Sequence, residues 1–393
     1  MNTSVGGAAR PTRVMLVAGE ASGDMHGAGV VRCLLERDSG LDIFGIGGEN
    51  LRRAGLRVIF DLDKVTGMGL FELFGNFKNL WAAYQLSRRV LVELEPSLLI
   101  LIDFPEFNLR LAKFAKQHGI PVLYYISPQV WAWRRYRVKQ IAARVDAMAV
   151  VFPFEVALYE SFGVAVRFVG HPLLDVVHPT RDRAATLMGL ELTAAKLTIV
   201  LMPGSRRREV DFLLETMVAA AERLQKEMAV QFILIRASTI DHAQLDAVLT
   251  GTSLQVRIVE EDAYNVLAAA DLVWVASGTA TVETGLLERP MVIVYRLTAL
   301  SYWLGRLLIH VDHIGMVNLI AGERVVPELI QNEVTVARLI EESKRIIQNR
   351  DVYENMVRAL GRVKERLGSP GAPARVADMA LGLISRGKLE STV

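Results

Sequence analysis

The sequence predicts an α/β fold made of two units, each built on a parallel sheet. Short runs rich in Val, Ile and Leu alternate with amphipathic segments, and the alternation stops at a turn-rich stretch, 171–183, before it starts again. Buried parallel strands have continuous apolar runs of this kind, and the helices between them provide the crossover connections. With 393 residues, the chain is also long for a single core, so two domains are expected.

The predicted elements follow in chain order. We predict strands at 14–18, 43–47, 98–103, 122–127, 147–152 and 166–170 in the first unit, and at 197–202, 232–237, 256–260, 272–276 and 291–295 in the second. Two segments between strands place apolar residues on one helical face, as helices packed on a sheet do. Those residues are Ala28, Val31, Leu34 and Leu35 in one segment, and Leu213, Met217, Ala220 and Leu224 in the other.

This pattern predicts that the chain has three parts. Residues 1–172 form the first domain, 173–350 the second, and 351–393 a group of C-terminal helices. In proteins with two such domains, terminal helices can return to the first domain or pack on a partner subunit. We expect one of these two arrangements for 351–393.

Composition excludes several classes of protein. The 45 Lys and Arg residues nearly balance the 43 Asp and Glu residues, so no nucleic-acid partner is expected. A single cysteine, Cys33, excludes an internal disulfide and a multi-cysteine metal site, and it fits a reducing cytoplasm. Mean hydropathy is high at +0.28, yet no apolar run is long enough to span a bilayer. The apolar surplus is therefore expected in buried strands or on exposed patches.

A candidate phosphate site lies where an apolar strand at 272–276 runs into a helix. Backbone N–H groups at a helix N-terminus attract an anion, and one turn further Glu283 could accept hydrogen bonds from a sugar hydroxyl. An ordinary strand-to-helix turn with a Ser or Thr cap stays open as the alternative. The residues expected to offer the N–H groups are Ser277, Gly278, Thr279 and Ala280.

Carboxylates follow two predicted strands of the first unit. The segment 19–24 carries Glu20 and Asp24, which suit contacts to hydroxyl groups, although capping of the following helix is the simpler interpretation. The segment 101–108 carries Asp103 and Asn108. A base that deprotonates an alcohol must be an acceptor held in a desolvated pocket, and an Asp at a strand end suits that role. A capping Asp is again the alternative.

Arg206 and His171 are two further candidate site residues. Arg206 follows a strand and a Pro-Gly-Ser turn, and its guanidinium can neutralise a diphosphate through two hydrogen bonds. His171 lies near the predicted boundary between the units, but a lone histidine is more often packed than catalytic. No pair of histidines has metal-ligand spacing, so we predict no metal.

Two apolar stretches, 65–81 and 297–310, contain glycines or cations beside large side chains. Such a surface suits a membrane contact or an acyl-chain groove, while core or dimer packing stays open. The candidate contact residues are Met68, Leu70, Phe71, Phe74, Trp81 and Trp303.

Seven ordered motifs together closely resemble the lipid-A-disaccharide synthase family, from about 14 to 329. They occupy 19–24, 102–108, 127–134, 152–155, 168–172, 203–206 and 276–280. The resemblance implies a GT-B glycosyltransferase, in which two Rossmann-like domains with parallel sheets face each other across a cleft. It implies no metal and no cofactor, an acceptor- and membrane-facing first domain, and a second domain that binds the nucleotide sugar.

The reaction implied by the resemblance joins UDP-2,3-diacylglucosamine to 2,3-diacylglucosamine 1-phosphate (lipid X), giving the β-1,6-linked lipid A disaccharide 1-phosphate and UDP. Asp103 matches the family's candidate base, with Asn108 beside it, and Glu20 and Ser22 match its first loop. Residues that match its nucleotide and cleft positions are Arg206, Ser277, Gly278, Thr279, Glu283 and Asn318. The resemblance places the protein in the cytoplasm, peripherally on the inner membrane, and leaves a homodimer open.

This chain departs from the family pattern within the base motif. Family members often have a smaller residue than Phe104 and Asp in place of Glu106. Two rival functions stay open. One is another enzyme on the same fold, such as a UDP-N-acetylglucosamine 2-epimerase or a glycosyltransferase with a soluble acceptor. The other is a non-catalytic protein that binds nucleotide sugars.

Overall fold

The computed structural model describes residues 11–61, 77–128, 137–298 and 313–390. The chain divides into two compact units. Unit 1 comprises Met1–Pro172 and Ser369–Val393, and unit 2 comprises Leu173–Gly368. The segment 351–393, which the sequence predicts as one group of C-terminal helices, is therefore divided between the units.

Unit 1 contains a seven-stranded parallel sheet in the order β3-β2-β1-β4-β5-β6-β7. Its strands are β1 (Arg13–Ala18), β2 (Asp42–Gly47), β3 (Arg57–Asp61), β4 (Leu98–Ile102), β5 (Val122–Tyr125), β6 (Ala147–Val150) and β7 (Ala165–Phe168). The helices between them are α1 (Ala21–Arg37), α2 (Glu49–Arg53), α3 (Phe77–Leu94), α4 (Pro105–Gln117), α5 (Arg137–Ala142) and α6 (Phe154–Glu160).

Unit 2 contains a six-stranded parallel sheet in the order β10-β9-β8-β11-β12-β13. Its strands are β8 (Leu197–Met202), β9 (Val230–Ile235), β10 (Val256–Val259), β11 (Leu272–Ala276), β12 (Met291–Tyr295) and β13 (Glu328–Ile330). Its helices are α7 (Arg183–Gly189), α8 (Arg207–Glu227), α9 (His242–Leu249), α10 (Ala263–Ala268), α11 (Thr279–Leu286), α12 (Met316–Ala321), α13 (Val336–Gln348) and α14 (Arg350–Arg366).

The predicted α/β class with two parallel sheets is confirmed. Every predicted strand is present, and central ones such as β4 and β11 are buried along their whole length. The predicted helical faces are also buried, with Leu35 only partly covered. Two edge strands, β3 and β13, were not predicted. The first is partly exposed and begins with a charged residue, and the second has only three residues.

The order of each sheet reverses direction next to its first strand. In unit 1 the reversal lies between β1 and β4, and in unit 2 between β8 and β11. Open α/β sheets bind ligands outside the carboxyl ends of their strands at such a point, because the adjacent loops diverge there and leave a crevice. A functional site is therefore expected in the segments that follow these four strands.

The last helix, α15 (Ala372–Glu390), packs on α1 of the same chain. Arg37 forms an ion pair with Asp378 at 2.8 Å, and Arg375 Nε donates to the carbonyl oxygen of Val169 at 2.8 Å. Helix α14 instead packs on α11, α12 and α13 within unit 2. Across the described ranges, no helix combines the length and the apolar character that a membrane crossing requires.

Candidate functional site

The strand-to-helix turn after β4 has an unusual backbone. Asp103 and Phe104 both have left-handed conformations, with φ angles of 47° and 50°, and Pro105 then begins α4. Non-glycine residues in this region carry strain of about 1–3 kcal/mol each, and they persist only where surrounding contacts impose them. Such strain is found most often at functional sites. The turn projects Asp103 from the carboxyl edge of the sheet at the point where its order reverses.

The Asp103 carboxyl group is suited to take up a proton. Burial, and then the negative charge of Glu20, raise the pKa of this group to about 6, against a backbone hydrogen bond from Phe104 that lowers it. A carboxylate with this pKa is mostly ionised at neutral pH, yet it is more basic than an exposed aspartate. Both properties are needed in a general base.

Because Gly19 has no side chain, the Phe104 ring can lie against it. A Cβ atom on Gly19 would lie 2.0 Å from Phe104 Cδ1, far inside van der Waals contact. The Phe104 ring also stacks on Phe107, with centroids 5.4 Å apart. The larger residue of this chain's base motif is therefore accommodated by Gly19 after β1, so the loops after β1 and β4 fit each other.

The two acidic residues of the first loop have different environments. Glu20 and Ser22 are exposed at the start of α1, and Glu20 is close enough to act on the Asp103 carboxyl. Asp24 is buried and accepts hydrogen bonds from Gly48 N at 2.6 Å and Asn50 N at 3.0 Å. Asp24 therefore caps α2, and the interpretation that it contacts substrate hydroxyl groups is wrong.

Asn108 lies beside Asp103, but its amide group is directed at the main chain. It is fully buried, and its Nδ2 donates to the carbonyl oxygens of Ile102 at 3.1 Å and Asp103 at 2.7 Å. These bonds hold the end of β4. Glu106, 61 % exposed, forms an ion pair with Arg137 at 2.7 Å.

In unit 2, α11 begins without a side-chain cap. Its N-cap residue is Gly278, with φ at 155°, and among the described residues no side chain caps the first turn. Gly278 and Thr279 are exposed, and Ala280 is partly exposed. In the part of the chain that the structure describes, no Ser or Thr side chain caps this helix, so the N–H groups of Gly278, Thr279 and Ala280 are available to an anion. The Ser277 N–H instead donates to Val294 O at 3.1 Å, so the prediction that Ser277 offers its N–H group is wrong.

Neighbouring side chains shape this anion site. Ser277 Oγ donates to Ile314 O at 3.1 Å, so this hydroxyl binds the segment before α12. Glu283 accepts a hydrogen bond from Tyr264 OH at 3.2 Å, and burial raises the pKa of the Glu283 carboxyl. A partly desolvated carboxylate one turn inside the helix can accept hydrogen bonds from sugar hydroxyl groups.

Arg206 lies after β8, the strand next to β11. Its side chain is 73 % exposed and pairs with Glu209 at 2.8 Å. The turn before it requires glycine, because Gly204 has φ at 119° and a Cβ there would lie 2.6 Å from Glu209 Oε2. The guanidinium is thus placed at the same sheet edge as the N-terminus of α11, with most of its surface open to a ligand.

Asn318 has no hydrogen-bonding capacity left for a ligand. Its Nδ2 donates to Val326 O at 2.9 Å and Glu328 Oε1 at 2.7 Å, and its Oδ1 accepts from the backbone N–H groups of Val325 and Val326. It is fully buried. We therefore interpret Asn318 as a residue that holds the segment around α12 rather than one that contacts a substrate.

The remaining predicted site residues are placed as follows. His171 is buried, and burial, with a smaller contribution from His26, lowers its pKa to about 3, so it is neutral. Of the apolar contact residues, Trp81 on α3 is 52 % exposed. Across the ranges that the structure describes, no three His, Cys, Asp or Glu side chains converge as a metal site requires. Met68, Leu70, Phe71, Phe74 and Trp303 lie outside the described residues.

Sequence reasoning missed three polar residues that hold the site. Tyr124 donates a hydrogen bond to Asp103 O, Tyr264 donates to Glu283, and the Glu328 carboxylate accepts from the N–H groups of Ile314 and Gly315. Tyr124 lies in the predicted apolar strand 122–127, and Glu328 begins β13, which was not predicted. No pattern in the sequence distinguishes such a residue from a packed one.

The comparisons with known proteins agree with this geometry. The family model described as lipid-A-disaccharide synthetase matches residues 14–369. A lipid-A-disaccharide synthase of Geobacter metallireducens is 45 % identical over 381 residues, covering 97 % of this chain and 99 % of the relative. One of Nitrosococcus oceani is 43 % identical over 372 residues, covering 94 % and 96 %.

Solved structures show the same fold at low identity. UDP-GlcNAc 2-epimerase from Neisseria meningitidis, bound to UDP-GlcNAc, has a TM-score of 0.63 at 12 % identity and covers 95 % of this chain and 100 % of its own. MurG of Acinetobacter baumannii has a TM-score of 0.58 at 15 % identity, with 94 % and 99 % covered. Both support the GT-B fold, and they do not separate one activity from another. The family model and the relatives above 40 % identity identify the family, and this chain belongs to the lipid-A-disaccharide synthase family.

Proposed function

We propose that this protein joins UDP-2,3-diacylglucosamine to 2,3-diacylglucosamine 1-phosphate, forming the β-1,6-linked disaccharide 1-phosphate and UDP, with inversion at the donor carbon. Its family membership makes it a UDP-sugar-dependent glycosyltransferase of lipid A synthesis. The observation that carries the detailed proposal is Asp103, a strained, largely desolvated carboxylate at the point where the sheet order of unit 1 reverses.

Asp103 acts as the general base. The acceptor's 6-hydroxyl oxygen forms a bond to the donor C1 while the bond from C1 to the diphosphate oxygen breaks. The hydroxyl proton passes to the Asp103 carboxylate, and UDP departs with the electron pair. Glu20 and Ser22 are exposed beside this turn and suit hydrogen bonds to sugar hydroxyl groups. Asn108 contributes by holding Asp103 in place.

Unit 2 binds the nucleotide. Negative charge on the leaving diphosphate increases as the glycosidic bond breaks, so donors fixed around it stabilise the transition state. The uncapped N-terminus of α11 offers backbone N–H groups and the positive end of the helix dipole, and Arg206 adds a full charge. Glu283 is placed to accept hydrogen bonds from the ribose.

We expect Arg206→Ala to weaken UDP binding by about tenfold, because a charge-assisted hydrogen bond is lost and Glu209 is left as an unpaired carboxylate near the phosphates. Isothermal titration with UDP measures the change. Arg207→Ala is the matched control, since the adjacent Arg207 forms an ion pair with the exposed Asp241. Equal UDP affinities in the two variants would contradict the role of Arg206.

Apolar side chains extend from the surface of α3 to the base loop. Trp81, Tyr84 and Phe107 form successive ring contacts with centroids 5.9 Å apart, and Phe107 stacks on Phe104 at 5.4 Å. This row of rings begins at an exposed Trp and ends beside Asp103. It supports contact of the first domain with the acyl region of the substrate, at the cytoplasmic face of the inner membrane.

Substitution of the exposed end of this row tests the membrane proposal. Trp81→Ser is expected to reduce association with anionic liposomes by about tenfold, the effect of removing one large apolar side chain from a lipid contact. Co-sedimentation measures the bound fraction. Val92→Ser on the same helix is the control, because Val92 is 49 % exposed but lies outside the row of rings. A similar loss in both variants, or no loss in either, would count against a specific contact at Trp81.

The reaction itself is tested by incubating both substrates with the protein in detergent micelles and measuring UDP and disaccharide by mass. Disaccharide equal to UDP supports the proposal. In a parallel incubation with UDP-N-acetylglucosamine, formation of its 2-epimer, with no disaccharide in the first assay, would identify an epimerase. Nucleotide-sugar binding without any turnover would identify a binding protein. A homodimer also stays a proposal, and sedimentation at several protein concentrations tests it.

A further inference from the structure

The turn that carries Asp103 adopts its conformation without glycine. Two consecutive non-glycine residues, Asp103 and Phe104, are left-handed, a conformation that L-residues avoid because Cβ approaches the neighbouring carbonyl oxygen. The Asp103 side chain takes its direction from this backbone. Whatever holds the backbone therefore also sets the position of the carboxylate.

Hydrogen bonds from three directions hold the turn. Asp103 N donates to Tyr125 O at 3.1 Å, and Asn108 N donates to Phe104 O at 3.0 Å. Two side-chain donors then converge on one acceptor, the carbonyl oxygen of Asp103. Asn108 Nδ2 is 2.7 Å from this oxygen, and Tyr124 OH is 2.5 Å from it.

Tyr124 is well suited to be a permanent donor. Its side chain is fully buried in β5, the strand that pairs with β4. Burial, and then the negative charge of Asp103, raise the pKa of the Tyr124 phenol well above its ordinary value. The hydroxyl therefore keeps its proton and remains a hydrogen-bond donor to the carbonyl oxygen of Asp103.

We propose that Tyr124 is a positioning residue for the catalytic base, because its hydroxyl group, together with the Asn108 amide, fixes the carbonyl oxygen of Asp103 and with it the left-handed turn. This inference rests on the proposed role of Asp103. Tyr124 itself touches no substrate. It acts by keeping the carboxylate within proton-transfer distance of the acceptor hydroxyl.

Tyr124→Phe removes the hydroxyl group and keeps the ring. We expect kcat to fall about tenfold, since small misplacements of a catalytic group cost one to two orders of magnitude, while KM for both substrates and the affinity for UDP stay within about twofold. Tyr159→Phe is the matched control. It also removes a buried hydroxyl from unit 1, but that hydroxyl donates to Ser127 Oγ at 3.1 Å and not to the turn, so its kcat should stay within about twofold of the wild type.

A double-mutant cycle separates positioning from a general loss of stability. In an Asp103→Ala background, Tyr124→Phe should cause no further loss of residual turnover, because the group that it positions is already absent. A further tenfold loss there, or wild-type kcat in Tyr124→Phe alone, would overturn the inference.

Two additional results keep the test decisive. If Tyr124→Phe does not fold, Asn108→Leu removes the other donor to the same oxygen at similar volume, and it should give the same loss of kcat and the same non-additivity with Asp103→Ala. If Asp103→Ala is as active as the wild type, the proposed base is wrong. If Asp103→Ala is inactive but Tyr124→Phe is fully active, only the positioning role of Tyr124 is wrong.

Discussion

Asp103→Asn is expected to lower kcat by at least about 100-fold, the usual scale for loss of a general base. The amide has nearly the same shape as the carboxyl group but cannot accept the proton of the acceptor hydroxyl. UDP binding should stay within about twofold, because the nucleotide is assigned to unit 2 and Asp103 lies in unit 1. Single-turnover assays and UDP titration on the same sample measure both quantities.

The pH dependence provides a control for this variant. Only ionised Asp103 can act as a base, and its pKa is raised to about 6. Wild-type kcat/KM should therefore fall tenfold per pH unit below about pH 6 and level off above it. Asp103→Asn should lack this acidic limb. Turnover within a few-fold of the wild type, or an unchanged pH profile, would contradict the assignment.

Gly19→Ala should be the most damaging small substitution outside the reacting groups, with kcat lowered by about 100-fold. The new Cβ would lie 2.0 Å from Phe104 Cδ1, so the Phe104 ring must leave its position. Because Phe104 is adjacent to Asp103 in the strained turn, its displacement moves the base. Kinetic assays, with circular dichroism to verify folding, measure the effect.

A second substitution tests the cause of that loss. Phe104→Ala in the Gly19→Ala background restores the space, so the double variant should be more active than Gly19→Ala alone. Gly382→Ala in α15, where a Cβ meets no atom within 4 Å, should leave kcat unchanged. If removal of the Phe104 ring gave no recovery, the contact between the two loops would not explain the loss.

The sequence predicts the fold well because its signals are local. Apolar runs such as Val14–Ala18 and Leu272–Ala276 are buried along their length, and continuous apolar runs are typical of buried parallel strands. The edge strands β3 and β13 were not predicted, because one is partly exposed and the other is very short. The positions of Asp103, Arg206 and Ser277 follow from the same rule, since each comes after a predicted strand.

The partners of a polar side chain are harder to predict. Asp24, Asn108 and Asn318 have the residue types of ligand contacts. In the structure, however, their side chains form hydrogen bonds with backbone groups, and the sequence does not show these partners. The sequence shows that a donor or acceptor exists, whereas only the fold shows whether its capacity is already used. Tyr124 is the opposite case. It lies in a predicted apolar strand, yet its hydroxyl group donates a hydrogen bond to the carbonyl oxygen of Asp103.

The return of α15 to unit 1 has a consequence for biosynthesis. Unit 1 is discontinuous, because Leu173–Gly368 is inserted between its main part and its last helix. As the chain leaves the ribosome, the whole of unit 2 emerges before the residues that cover α1, including Pro373 beside Gly29 and Asp378 beside Arg37. The sheet that carries Asp103 therefore completes its packing last, although it is synthesised first. Premature termination near the 3′ end of the message would leave unit 2 whole and α1 of unit 1 uncovered.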